Sequence, residues 1–319
     1  MNLHNDTQAF SNAIQASSDY HNIPPSFIEK DYWITLSLKR LAESLYSKTV
    51  VFKGGTSLSK GFRIINRFSE DIDIAVIDAS KYPGSKLKRL IRDVEKAISV
   101  DLTEVDVPGI SSKGSRFRKT VFSYPKTGDT RLQRQVSDRL IIEVNSFANP
   151  FPFERRSIDS FIMDFLRASG NKNAIDKYAL TPISLNILDK RRTLIEKMAS
   201  LFRFSLSKNP VEDLSGKIRH FYDIYFLYRD PECRAYLEDS GSWTELADLI
   251  KHDKELFDDP DGWMEKKLKD SPLLTDFSVI WQRMKNQYRT ELSALAFSEI
   301  PAEEDVENTF KIILSVMRM

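Results

Sequence analysis

Lys53-Gly54-Gly55-Thr56-Ser57, followed after eleven intervening residues by Ser69-Glu70-Asp71-Ile72-Asp73, is the stretch on which the reading of this chain turns. Val50-Val51-Phe52 ahead of it reads as a short buried strand and Leu58 to Asn66 as an amphipathic helix, with Gly54 and Gly55 at the joint. Glycine lets the backbone turn sharply and approach a ligand, and a helix N-terminus presents free N–H groups to phosphate oxygens. Phe68 to Val76 reads as a second strand. Alternation along it puts Asp71 and Asp73 on one face and sends Ile72 and Ile74 to the core. Two carboxylates so placed repel each other, and a divalent cation between them relieves the repulsion. The stretch therefore suits a triphosphate held against metal. The P-loop alternative fails: counted from Gly54, its second glycine would fall at Ser59 and its hydroxyl at Gly61, and only Lys60 fits.

Gly-Gly-Thr-Ser followed by Asp-x-Asp resembles the signature of polymerase-beta-type nucleotidyltransferases. The longer string from Lys53 to Lys60, with Arg67-Phe68-Ser69-Glu70-Asp71-Ile72-Asp73-Ile74, resembles the AbiEii/AbiGii (MenT-like) toxin family within that superfamily. Glu29-Lys30-Asp31-Tyr32-Trp33 resembles the family's N-terminal helix. Ile195-Glu196-Lys197-Met198-Ala199-Ser200-Leu201, with Arg203, and His220-Phe221-Tyr222-Asp223-Ile224-Tyr225 resemble its two C-terminal motifs. The four motifs run in the family's order over residues 25 to 228.

The resemblance implies an α+β fold: a nucleotidyltransferase-type mixed sheet with an N-terminal helical segment and a C-terminal α-helical domain. It implies transfer of a nucleoside monophosphate from an NTP to RNA, at a tRNA 3′ end, with Mg2+ or Mn2+ present and pyrophosphate displaced in line. It also implies the toxin of an abortive-infection (phage-defence) toxin–antitoxin pair, with a protein or kinase-like antitoxin. Residue by residue, Asp71 and Asp73 would be catalytic and metal-binding. Lys53, Gly54, Gly55, Thr56, Ser57 and Ser69 would hold the nucleotide. Lys197 would touch its phosphates, and Asp223 would serve near the active cleft. Related toxins suggest Ser69 as a modifiable position, where a phosphate would repel the triphosphate.

Composition fits a soluble enzyme. The 319 residues suffice for one large domain or two ordinary ones. With 47 basic and 46 acidic residues the formal net charge is +1, so any nucleic-acid binding must come from a local patch. A single cysteine, Cys233, excludes an internal disulfide and fits a reducing cytoplasm. The N-terminus carries no export-signal pattern, and no apolar run approaches membrane-span length.

Thr7 to Tyr20 reads as an opening helix. Pro24-Pro25 leads into a second, with Ser26 and Glu29 spaced as a capping box. Strand and helix signals alternate from Thr49 to Phe147. Asn149-Pro150-Phe151-Pro152 and Thr181-Pro182 then punctuate the chain. Beyond them strand signals nearly vanish, and Asn186 to Phe204, Glu212 to Leu227 and Glu304 to Met317 read as helices, with two more between Trp243 and Tyr288. The expected division is a catalytic core with N-terminal helices over 1–150 and an α-helical domain over 151–319.

Arg139 to Phe147 is the best remaining strand, and Glu143 interrupts its apolar run. A buried carboxylate needs a positive partner, which makes Glu143 the candidate third metal ligand; the plain alternative is a strand-end charge in solvent. Leu194, Met198 and Leu201 form an apolar stripe beside Lys197. Asp223 lies among aromatics and is expected to be buried and paired, orienting Lys197 or a base such as Arg219. Between Lys113 and Arg139, eight basic residues face two acids, with Phe117, Phe122 and Tyr124 interleaved. Arg116, Arg118, Lys119, Arg131 and Arg134 are the candidate RNA contacts, by phosphate neutralisation and base stacking. Two other readings stay open: a GTP- or ATP-binding regulatory module acting through a protein partner, and nucleotidylation of a protein or small molecule.

Overall fold

Residues 1–69, 71–125 and 138–316 are described by the computed structural model. The chain divides into two units, Met1–Arg63 with Phe68–Leu188, and Ile64–Arg67 with the residues from Asp189 onward.

The first unit opens with α1 (Thr7–His21) and α2 (Pro25–Glu43). Asp6 caps α1 by accepting from the Ala9 N–H. The expected Ser26 capping box does not form. Pro25 occupies the first helical turn, where its fixed φ and missing N–H cost nothing, and Glu29 is buried instead of reaching back to the cap.

Next come β1 (Val50–Lys53), α3 (Gly54–Ser57), β2 (Asp71–Val76), α4 (Gly84–Ile98), β3 (Thr103–Val105), β4 (Ser112–Lys113), β5 (Phe117–Ser123), β6 (Arg139–Asn145) and β7 (Phe153–Ile158). The unit closes with α5 (Phe161–Ala168), α6 (Lys172–Lys177) and β8 (Ile183–Leu188). The strands form one mixed sheet in the order β3-β5-β6-β2-β1-β8-β7, with β4 paired to β5. β2 is antiparallel to β1 and parallel to β6. Ile72, Ile74, Ile142 and Val144 are fully buried, and Leu87, Ile91, Val94 and Ile98 give α4 the apolar stripe that packs on β5 and β6.

Two expectations shift here. The helix expected over Leu58–Asn66 begins earlier, at Gly54, and continues as a π-helical turn over Leu58–Phe62. It ends where Arg63 turns left-handed at φ 56°. The domain boundary expected near residue 150 moves to Leu188, because β7 and β8 pair with each other and Phe52 registers with Ile187. Glu154 and Arg155 are exposed on the edge strand β7, so no apolar run marked it. In β8, Ile183-Ser184-Leu185-Asn186-Ile187 alternates in strand fashion, and the helix expected from Asn186 begins only at Lys190.

The second unit is helical among the described residues: α7 (Lys190–Ser205), α8 (Pro210–Ser215), α9 (Ile218–Arg229), α10 (Pro231–Glu238), α11 (Ser240–Leu256), α12 (Pro272–Thr275), α13 (Phe277–Leu295) and α14 (Glu303–Val316). Phe221 of α9 lies 5.3 Å from Trp281 of α13 and 4.7 Å from Phe310 of α14, ring centre to ring centre, and these rings anchor the core. The helix expected over Glu212–Leu227 is two helices, separated at Gly216. Ile64–Arg67 belongs to this unit: Phe297 N–H donates to the Asn66 carbonyl at 3.0 Å, and Arg67 bridges to Ala296. No described helix is long and apolar enough to cross a membrane.

Candidate active site

Functional side chains gather in two groups, one in each unit. In the first unit, register fixes a row of charges across four strands. Lys53 pairs with Asp73, Asp73 with Glu143, and Glu143 with Lys119. Residues directly opposite each other share a face, so the row alternates base, acid, acid, base. Asp71 lies two residues along β2, on the same face as Asp73 and half-buried like it. The expected facing of the aspartate pair is what the strand shows.

Gly54 backs this row. It has φ 79°, and a Cβ built on it would fall 2.0 Å from Asp73 Oδ2. Asp73's carboxylate thus occupies the space a side chain would need, and the glycine is required by contact as well as by backbone sign. Gly55 is buried inside α3, so Gly54 is the glycine of the pair whose positive φ and lack of a side chain matter. We expect Gly54→Ala to displace Asp73 and cut turnover severely, while a Gly55→Ala protein keeps far more. Equal activity of both variants in a labelled-nucleotide assay would contradict this.

The hydroxyls of α3 serve the turn itself. Thr56 Oγ1 donates to the Asp71 carbonyl at 2.5 Å, and Ser57 Oγ to the Gly54 carbonyl at 2.8 Å. Both side chains are buried. Thr56 ties the glycine turn to β2 and Ser57 closes the turn on itself, so phosphate donors from this turn would be backbone N–H groups. Ser69 precedes the strand, which begins at Asp71, and is buried. Lys60, next along, forms a buried ion pair with Asp31 at 2.5 Å, and Asp31's other oxygen accepts from the Phe161 N–H.

Glu143 meets Lys119 Nζ at 3.6 Å. Burial raises its pKa, while Lys119 and Lys53 pull it back and Asp71 pushes it further up. Among the described residues, no three His, Cys, Asp or Glu side chains converge as a ready metal cage. Asp71 and Asp73 supply the oxygen donors that Mg2+ or Mn2+ favours. Glu143 lies beside Asp73 in register, with one of its oxygens facing Lys119.

The basic segment divides between the two faces of β5. Arg118 turns to α4, where its Nε donates to Glu95 Oε2 at 2.7 Å, and Thr120 donates to the same carboxylate. Lys119, one residue on, faces the carboxylate row. Arg118 and Lys119 therefore do not share an RNA-facing surface with each other. Phe122 and Tyr124 are core residues, Tyr124 stacking on Trp33 at 5.6 Å, and are not base-stacking platforms. Lys113 pairs with Glu104. Arg131 and Arg134 lie outside the described residues.

In the second unit Lys197 of α7 and Asp223 of α9 meet as expected, Nζ to Oδ2 at 2.8 Å, with Asp223 fully buried. The second cation on Asp223 is Arg67, which sequence reasoning missed. Its Nε donates to Oδ1 at 2.7 Å and its Nη2 to Oδ2 at 2.6 Å. Arg219, the partner considered from sequence, pairs with Glu291 instead. Burial alone would raise the Asp223 pKa, but Arg67 and Lys197 hold it well below the usual carboxylate range.

His220 is half-buried, and its Nδ1, itself shielded from solvent, has no partner among the described residues. Burial first, then the Lys197 charge, pushes its pKa well below 6.5. A histidine kept neutral by the fold contributes stability above pH 6.5 that is lost as pH falls below it. We expect wild type to lose melting temperature between pH 7 and 5 more steeply than His220→Gln. Matching slopes would show that His220 does not titrate on unfolding.

A mixed sheet carrying a glycine turn against an aspartate pair is the arrangement of the nucleotidyltransferase class. A family model described as nucleotidyl transferase AbiEii toxin, type IV toxin–antitoxin system, matches residues 36–309, and the chain belongs to this family. It is accordingly a transferase-family toxin with an NTP substrate and a cognate antitoxin. A comparison with curated proteins finds no match. Among solved structures, the chain is similar to MenT4, a nucleotidyltransferase toxin from Mycobacterium tuberculosis H37Rv. The identity is 15% and the TM-score 0.35, over 89% of this chain and 94% of that one. At that score the likeness adds nothing to the family assignment.

Proposed function

We propose that this protein transfers a nucleoside monophosphate from an NTP to RNA, at a tRNA 3′ end. The acceptor hydroxyl oxygen attacks the α-phosphorus, the bond to the bridging oxygen breaks, pyrophosphate leaves, and the hydroxyl proton passes to solvent. The observation that carries the reading is the row Lys53, Asp73, Glu143 and Lys119, with Gly54 closed against Asp73.

Asp71 and Asp73 would hold a divalent cation, which supplies charge neutralisation for the triphosphate and lowers the pKa of the attacking hydroxyl. Backbone N–H groups of the Gly54–Ser57 turn would receive phosphate oxygens, as a helix start does. Lys53 would add a positive charge at the edge of the row, and Lys197 would grip the phosphates as a point charge. Catalysis then rests on positioning and preorganised charge, with no covalent enzyme intermediate.

Support for an RNA acceptor comes from the family and from the basic excess between Lys113 and Arg139. Arg116 is the described member of that segment retained as a candidate contact. The test is incubation with each NTP labelled at the α-phosphate, total tRNA and Mg2+, followed by a denaturing gel. Labelled tRNA is expected. Label on a protein or small molecule, with none on RNA, would replace the acceptor.

A further inference from the structure

The hydrogen bonds around Asp223 are unequally shared. Arg67 takes both oxygens in a side-on fork, and Lys197 Nζ approaches Oδ2, an oxygen Arg67 Nη2 already holds, at 2.8 Å. Arg67 is 3% exposed, Lys197 is 7% exposed and Asp223 is 0% exposed. The planar guanidinium therefore fixes the plane of the carboxylate, and the carboxylate in turn fixes the ammonium. An ammonium has three N–H donors, more than a single carboxylate oxygen takes up.

We propose that Arg67 is a positioning residue: by clamping Asp223 it prevents a full Lys197–Asp223 pairing and keeps the Lys197 ammonium aimed and available for a triphosphate. The proposal rests on the reading that Lys197 grips the nucleotide. With Arg67 absent, both oxygens of Asp223 are left to Lys197, whose charge is then spent on its neighbour. Each single replacement of a cation still leaves Asp223 one partner, so neither strands a buried carboxylate.

The experiment compares Arg67→Met, Arg67→Lys, Lys197→Met and the double variant Arg67→Met/Lys197→Met, the last made together with Asp223→Asn so that no buried carboxylate is stranded. Affinity for an NTP is measured by calorimetry with Mg2+, alongside thermal melting. Arg67→Met and Lys197→Met should each weaken binding about tenfold, and the double variant should bind no more weakly than either single one. Arg67→Lys, which keeps charge but loses the fork, should fall between wild type and Arg67→Met. Losses that multiply in the double variant would mean Arg67 acts independently of Lys197, and would overturn the proposal. So would a lowered melting temperature with unchanged affinity, which marks a purely structural arginine.

If Lys197→Met leaves NTP affinity intact, the nucleotide reading of Lys197 fails, and the clamp is judged by the amine itself. The 15N signal of Lys197 Nζ should be sharp in wild type and shift or broaden in Arg67→Lys. An unchanged signal would overturn the proposal.

Discussion

Asp73→Asn is expected to lower nucleotidyl transfer by at least about 10³-fold while the protein still unfolds cooperatively. The change removes a charge and keeps the shape. Asp73 is the carboxylate packed on Gly54 and flanked in register by Lys53 and Glu143. Its loss removes half of the aspartate pair on β2 and leaves Asp71 alone to attract a cation. Asp71→Asn should behave alike. Neither change should cost much stability, because each relieves repulsion between two half-buried carboxylates on one face. Turnover near wild type in either variant would separate the aspartate pair from the chemistry.

Asp223→Asn should act in the opposite way, on the fold first. It leaves Arg67 and Lys197 buried without their shared counter-charge, and breaking a buried pair of this kind costs about 3–5 kcal/mol. The measurement is denaturant unfolding at pH 7. A loss under about 1 kcal/mol would mean water reaches the pair and that the site is looser than its hydrogen bonds indicate.

The pH dependence follows from the sign of the shift. Asp223's folded pKa is depressed, so its stabilisation is complete above the unfolded value of about 3.9 and is lost only as pH falls through the lower folded value. Between pH 5 and 9 the Asp223→Asn penalty should stay constant. The His220 effect, by contrast, appears as pH drops below 6.5.

The sequence was most legible where one local rule decides. Alternation in Asp71-Ile72-Asp73-Ile74 predicted the face of the aspartates, and the strand register brings Glu143 beside Asp73 as a partner strand should. Lys197 and Asp223 were recognisable as buried because apolar stripes and aromatics surround them. Illegible features were those set by distant residues. Arg67 looked like an ordinary base between a turn and a strand; only the pairing of Asn66 and Arg67 with Phe297 and Ala296 places it in the second unit beside Asp223.

Arg118 and Lys119 looked like neighbours in one basic patch, but adjacent strand residues point to opposite faces, a rule that could have been applied from sequence once β5 was recognised. Thr56 and Ser57 suggested phosphate donors, yet buried hydroxyls must first satisfy nearby carbonyls, and theirs do. β7 and β8 escaped because an edge strand and an alternating one lack the continuous apolar run that marks a central strand.

The most direct test of the account follows the fate of each phosphate. Wild-type protein is incubated with tRNA, Mg2+ and one NTP labelled in parallel at the α- and the γ-position. The account predicts α-label in the acceptor and γ-label in pyrophosphate, released one for one, with both signals lost in Asp73→Asn. Retention of the γ-label on the acceptor, or release of free phosphate and nucleoside diphosphate, would contradict nucleotidyl transfer.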